Sequence, residues 1–305
     1  MHQVVETAAQ TAPVASTERS WPGWLPLLLL PTAAILFRNS LPAWLFMWML
    51  AFAIFIALKW TTWWKARNHV PHSAARSLAY LLAWPGMDAE TFLDSRAQPA
   101  SPELKNWLWA FVKTLLGIFL LWVLARRLPE TQPLAQGWIG LLGLIFLLHF
   151  GSFHLIALFW QARGVAAQPI MSNPIASKTL SEFWGKRWNL GFRQLAYDLI
   201  FRPLHKKIGP AASSLLVFLF SGLIHDLVIS LPARAGYGLP TTYFLAQGFG
   251  VILERSTFGR KLGLQQGLPG WIFLFVVAAG PVFWLFHPPF VLRVILPFMK
   301  AIHAL

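Results

Sequence analysis

The chain has 305 residues, 56% of them hydrophobic and only 12% charged, with a mean hydropathy of +0.55. A soluble domain carries about 25% charged residues and could not keep so apolar a surface in water, so a soluble globular protein is excluded. The formal net charge of +14 sits in short loops between apolar stretches, which is positive-inside patterning rather than a nucleic-acid surface, and zero Cys excludes disulfides, thiolate nucleophiles and Cys-ligated metals.

Residues 1–20 are polar and lack the basic n-region and apolar h-region of a signal peptide. They read as a disordered N-terminal tail, with the first membrane segment acting as the insertion signal. Residues 21–305 read as one membrane-embedded domain. Asn39–Leu58, Thr131–Ala162, Ala235–Leu253 and Trp271–Leu292 contain no Asp, Glu, Lys or Arg, for about the 20 residues that a bilayer requires. Helices are predicted near Trp24–Phe37, Ala43–Trp60, Asn106–Leu124, Gly137–Trp160, Ala211–Leu231, Thr241–Leu253 and Trp271–Phe286. Ser77–Trp84 is too short to span and is expected to be re-entrant or interfacial. Val291–His303, with Arg293, Pro297 and Lys300, is a short final span or a surface helix. The expected class is all-α: a polytopic integral membrane protein of about seven to nine spans with a re-entrant or interfacial cytoplasmic segment. Seventeen Trp supply anchors at headgroup level.

The segment Gln161–Pro210 is the longest weakly apolar stretch. It holds eight Lys and Arg against Glu182 and Asp198, a net of +6, which puts this loop in the cytoplasm. Arg255, Arg260 and Lys261 then fall on the same side. Arg126 and Arg127 oppose the pattern, and only snorkelling accounts for them from sequence. The absence of Cys and of a signal peptide fits a bacterial inner membrane.

Within that loop lies Glu182-Phe-Trp-Gly-Lys-Arg-Trp-Asn189. As a helix it places Trp184 and Trp188 on one face, and Phe183 and Arg187 together. Ser181 or Thr179 is a candidate cap, with Glu182 favourable in the first turn. A Trp-rich anchor has no use for the amide of Asn189. In the next apolar run, His225 lies more than two turns into its span, with Ser221 and Gly222 one turn before it and Asp226 about 100° around the helix. Polar groups at bilayer depth cost free energy and persist where they bind or react. His149 and His154 lie five apart in one span and can line one cavity, whereas His69 and His72 flank Pro71 in a polar loop and His287 precedes Pro288. No metal site is supported, because no third ligand falls at helical spacing. A Gly-x-Ser-x-Gly elbow and a Walker-type loop are both missing, which argues against a serine hydrolase and an ATP-driven transporter.

The block Leu180-Ser-Glu-Phe-Trp-Gly-Lys-Arg-Trp-Asn189, followed by Arg202-Pro203 and Ser221-Gly-Leu-Ile-His-Asp226, resembles the wax-synthase branch of the membrane-bound O-acyltransferase superfamily. Those proteins carry Phe-Trp-Gly-Arg-Arg-Trp-Asn and then Ser-Gly-x-x-His-Glu. Tyr80-Leu-Leu-Ala-Trp-Pro-Gly-Met-Asp88 and His149-Phe-Gly-Ser-Phe-His154 resemble further segments of that branch, so the similarity runs in order through residues 76–260. Lys186 stands where the family has Arg, and Asp226 where it has Glu. The resemblance implies that His225 is the general base and Asn189 its catalytic partner. It also implies that Trp184 and Trp188 wall the substrate site with Asp226 beside them, and that Lys186, Arg187, Arg193 and Arg202 meet the phosphates of coenzyme A.

The implied reaction is transfer of a fatty acyl group from acyl-CoA, a co-substrate with no resident cofactor, to a lipid-soluble hydroxyl, with a long-chain alcohol and wax-ester synthesis as the first expectation. Two alternatives stand beside it. One is a glycan or polysaccharide O-acetyltransferase. The other is a non-enzymatic proton-coupled transporter with His225 and Asp226 as relay, for which Lys113 is the one clear additional charge inside a predicted span. Membrane lipids are expected partners and nucleic acid is not.

Overall fold

The computed structural model describes residues 21–305, so the predicted N-terminal tail, residues 1–20, lies outside the described residues. The described residues form helices and connecting loops with no strand, and the protein is an all-α, multi-pass membrane protein. We number the helices α1 (Trp21–Leu36), α2 (Ala43–Ala66), α3 (Ala74–Ala83), α4 (Ala89–Leu93), α5 (Leu104–Arg127) and α6 (Pro133–Ala162). There follow α7 (180–187), α8 (Leu190–Ala233), α9 (Leu239–Arg255), α10 (Thr257–Lys261), α11 (Gly267–Leu285) and α12 (288–301). Five of them, α2, α5, α6, α8 and α11, are long and apolar enough to cross a bilayer.

Helices α1 and α2 are antiparallel, tied where Trp60 Nε1 donates to Pro22 O (3.0 Å) and Thr61 Oγ1 to Gly23 O (2.8 Å). Helices α5 and α6 form a second antiparallel pair that crosses backbone to backbone. A Cβ on Gly117 would stand 2.4 Å from Leu147 N, and one on Gly143 would stand 2.9 Å from Leu121 N. Small residues at such a crossing replace the hydrophobic driving force that lipid removes. The outer face of α5 exposes Leu108, Trp109, Phe111 and Phe119, a surface suited to acyl chains rather than water.

Helix α8 is 44 residues long, too long for one span. Gly209 (φ 82°), followed by Pro210, breaks it into a charged, amphipathic first half and an apolar second half from about Ala211. The sequence reading placed that boundary in the same position. Helix α12 is not a surface helix: Phe290, Val291, Val294, Ile295 and Met299 are buried in the central core. Arg126, unexplained by the charge pattern, donates to the carbonyls of Ala304 (3.3 Å) and His303 and so closes the end of that helix.

Candidate active site

The chain from Lys178 to Leu190 is pinned before it reaches Asn189. Thr179 Oγ1 caps α7 by accepting from Glu182 N (3.1 Å), and Lys178 N donates to the Glu182 carboxylate (2.8 Å). The buried Glu254 of α9 accepts from Leu180 N (2.6 Å) and Ser181 N (3.2 Å), while its neighbour Arg255 donates to Ser181 Oγ (2.9 Å). Those donors are the orphan N–H groups at a helix start, so a carboxylate is favoured there. The Lys178 N–H and then the Arg187 guanidinium hold the Glu182 carboxyl below the usual carboxylate range.

Residues Phe183–Arg187 wind as a π-turn closed by Trp188 N donating to Phe183 O (2.9 Å), and the chain then leaves the helix. The expected helix through Asn189 is therefore corrected. Trp188 is extended, and Asn189 adopts the left-handed conformation (φ 42°), which Asn tolerates because its short side chain bonds locally. Its Oδ1 accepts from Phe192 N (3.2 Å) to cap α8. The neighbouring chain brackets the turn, with Leu190 N donating to Ile170 O and Ser172 N to Arg187 O, both 2.8 Å. With Oδ1 fixed, the Asn189 Nδ2 group makes no hydrogen bond among the described residues.

His225 is oriented by its own helix. Its Nδ1 lies 2.7 Å from Ser221 O, and a carbonyl only accepts, so Nδ1 carries the proton and the Nε2 lone pair is free. The small residue one turn back has a use: a Cβ on Gly222 would stand 2.6 Å from Thr241 Cα, so α8 and α9 touch there. Phe244 packs against the imidazole at 4.4 Å.

Two cavities share Asn189, Phe192 and His225 as their common wall. The larger, about 520 Å³, is almost wholly apolar and runs along α2 from Trp48 to Leu58, with Trp84, Pro85, Met87, His149, Phe153 and Ile156 opposite. The Trp84–Asp88 segment is held there by Lys59, whose buried Nζ donates to Gly86 O (2.6 Å) and lies 3.1 Å from the centre of the Tyr80 ring. The second cavity, about 310 Å³, is walled by Trp184, Trp188, Phe218 and Phe244 and carries Ser181, Arg193, Tyr197 and Arg255. Trp184 is set by donating Nε1 to Gln247 Oε1 (3.2 Å), and Gln247 in turn donates to Val277 O (2.7 Å).

The structure thus brings together Asn189, His225, Trp184, Trp188 and Arg193 of the residues picked from sequence. It places four others elsewhere. Arg187 is engaged with Glu182 (2.6 Å) and with the carbonyls of Ser172 and Asn173. Lys186 and Arg202 are exposed and line neither cavity. Asp226 turns away from His225 to cap α9, accepting from Gly238 N (2.8 Å), Thr241 N (3.1 Å) and the Thr241 hydroxyl. A carboxylate among orphan N–H groups is a structural cap, and the missing methylene relative to Glu leaves that role intact. Sequence reasoning missed Arg255, Glu254 and Gln247. The charge pattern of Arg255 speaks only to topology, and Glu254 follows directly on a charge-free span, the one signal that marks it.

Comparison with known proteins bears on the same residues. The model of the membrane bound O-acyl transferase family matches residues 167–246, which include Asn189 and His225. A probable long-chain-alcohol O-fatty-acyltransferase 2 of Arabidopsis thaliana is 29% identical over 147 residues, 43% of this chain and 41% of that protein. A probable long-chain-alcohol O-fatty-acyltransferase 3 from the same plant is 25% identical over 220 residues, 59% of this chain and 61% of its own length. An acyl-CoA–sterol O-acyltransferase 1, again from Arabidopsis thaliana, is 26% identical over 134 residues, 40% of this chain and 39% of its own length. The chain thus spans between about two fifths and three fifths of these relatives, and their plant origin lends nothing to a bacterial membrane. The matched segment, which carries both the Asn189 turn and the His225 helix, is similar to the membrane bound O-acyl transferase family.

Proposed function

We propose that this protein transfers a fatty acyl group from acyl-CoA to the hydroxyl of a long-chain alcohol. The observation that carries this reading is the shared wall: an imidazole with a free Nε2 and an amide with a free Nδ2 stand where an apolar cavity meets a cation-bearing one. In this reading the phosphates of acyl-CoA meet Arg193 and Arg255, the thioester reaches the wall, and the apolar cavity receives the alcohol. His225 Nε2 takes the hydroxyl proton as the alcohol oxygen attacks the thioester carbon. Asn189 Nδ2 donates to the oxyanion that forms. Collapse breaks the carbon–sulfur bond, and the departing coenzyme A thiolate takes the proton from His225, so the enzyme ends unchanged. The chemistry needs no covalent enzyme intermediate and suits a chain without Cys.

The net positive charge of residues 161–210 supports a cytoplasmic position for the second cavity, on the side from which acyl-CoA would enter in this reading. The apolar cavity offers a sugar few partners, which weighs against glycan acetylation. The Asp226 carboxylate is occupied by α9, which weighs against a His225–Asp226 proton relay. The test is transfer of radiolabelled palmitoyl-CoA to long-chain alcohols, sterols and diacylglycerol in membranes carrying the wild type or His225→Ala. Ester that disappears in the variant at equal protein level supports the reading and names the acceptor. Equal ester from both would remove His225 from its role, and no ester from any acceptor would overturn the acyltransferase assignment.

A further inference from the structure

The apolar cavity is lined by a second imidazole, which the reaction described above does not use. His149 lies in the π-helical stretch Ile145–Ser152 of α6 and lines the same cavity as Asn189 and His225. Its Nδ1 is fully enclosed with no hydrogen-bond partner among the described residues. Its Nε2 has no partner among the described residues either and is not enclosed, so this edge of the ring is the one open to the cavity. Phe153, a further lining residue, meets the ring edge-on at 5.4 Å. Phe150, the next residue, meets Trp188 edge-on at 6.3 Å, one residue from Asn189, so this stretch of α6 stands beside the catalytic turn.

An imidazole with neither nitrogen bonded, set in a hydrocarbon wall, is an expensive way to fill space. A Leu or Phe would close the wall without desolvating two nitrogens. Its neighbour in the span shows the contrast: His154 is satisfied by Lys113 Nζ at 3.2 Å. Prolonged π-winding is uncommon and turns side chains out of the ordinary helical register, often at functional sites. A hydrocarbon chain in this cavity leaves His149 as unpaired as before. A molecule with one oxygen on an apolar body satisfies it.

We propose that His149 binds the oxygen of the acceptor alcohol in the apolar cavity, its Nε2 edge sharing a hydrogen bond with the hydroxyl, and so selects an alcohol over a plain hydrocarbon. This rests on the acyltransferase reading for its place in the reaction, but binding itself does not require turnover. His149 and His225 then address one hydroxyl from two helices, the first holding it and the second taking its proton.

The experiment uses the purified full-length protein in lipid nanodiscs as wild type, His149→Leu, His149→Gln and His225→Ala. Equilibrium binding of radiolabelled hexadecanol and of hexadecane is measured without acyl-CoA. Ester formation is then followed with either hexadecanol or palmitoyl-CoA varied. The expected result is a roughly tenfold weaker hexadecanol affinity and a matching rise in its KM in His149→Leu, the size of one lost hydrogen bond. Hexadecane binding and the palmitoyl-CoA KM stay within about twofold, and His149→Gln, which keeps a donor and an acceptor, recovers most of the loss. Equal hexadecanol affinity in wild type and His149→Leu overturns the proposal, as does a change confined to palmitoyl-CoA, which would give His149 to the thioester. If the Leu variant does not fold, His149→Phe replaces it, ring for ring. If the wild type forms no ester, the acyltransferase reading fails alone, and the binding comparison still decides whether His149 holds a hydroxyl.

Discussion

At the residue scale, orientation rather than identity separates the residues that face the cavities from those that hold the frame. His225 and Asp226 are adjacent, yet one presents a free lone pair to the cavities and the other caps α9. Asp226→Ala is therefore expected to lower thermal stability by about 1 kcal/mol, the value of a helix cap, while leaving the KM for both substrates near wild type. Melting in detergent beside steady-state kinetics separates the two effects. Asn189→Ala removes both the cap acceptor and the oxyanion donor. Its kcat should fall by about 10²–10³-fold, and Asn189→Asp, which keeps the cap acceptor but loses the donor, should stay nearly as inactive. A fully active Asp variant would show that the amide N–H groups are not needed.

At the scale of elements, the chain leading into the Asn189 turn is held by two carboxylates. Glu254 accepts from Leu180 N and Ser181 N, and Glu182 from Lys178 N and Arg187. Glu254→Ala leaves buried N–H groups unsatisfied, about 1–3 kcal/mol of destabilisation, and should lower kcat through a displaced Asn189. Limited proteolysis near residue 180 checks the loosening. Glu182 has its folded pKa depressed, so its contribution is present above the unfolded carboxylate pKa and is lost as pH falls through the folded value. The stability advantage of wild type over Glu182→Gln should accordingly hold at neutral pH and fade below about pH 4. The α5–α6 crossing is similarly strict. Gly117→Ala drives a methyl into the Leu147 backbone and should cost about 1–3 kcal/mol in thermal unfolding, whereas an Ala in the open exposed face of α5 should cost little.

At the scale of the whole molecule, two cavities of unlike chemistry converge on one wall, so substitutions should sort by cavity. Arg255→Ala is expected to raise the KM for acyl-CoA about fivefold or more, with a flattened salt dependence, and to leave the alcohol KM unchanged. Ala51→Phe on α2 should narrow the apolar cavity and shift preference to shorter alcohols without altering the acyl-CoA KM. Steady-state kinetics at varied salt reads the first and product chain lengths by mass spectrometry the second, and a common shift in the two KM values would mean that the cavities are not separate compartments.

Much of this was legible before any coordinates. Charge-free runs gave the class, because lipid forbids unpaired backbone and so forces helices. The boundary before Ala211 was legible as the start of an apolar run, and the Asn189 and His225 blocks stood out because polar groups are rare at that depth. What stayed hidden depends on contacts between residues far apart in the chain. Glu254 and Leu180 are 74 residues apart, Arg126 and Ala304 are 178 apart, and no local periodicity reports either pairing. The sequence by itself determined a membrane helix bundle, the polar Asn189 and His225 blocks as a candidate site, and the side of the membrane favoured by its charges. Tertiary structure alone decided which cations face the cavity, that Asp226 belongs to a helix cap, and that His149 stands unpaired in the apolar wall, because hydrogen-bond direction and burial are properties of packed neighbours rather than of the residue.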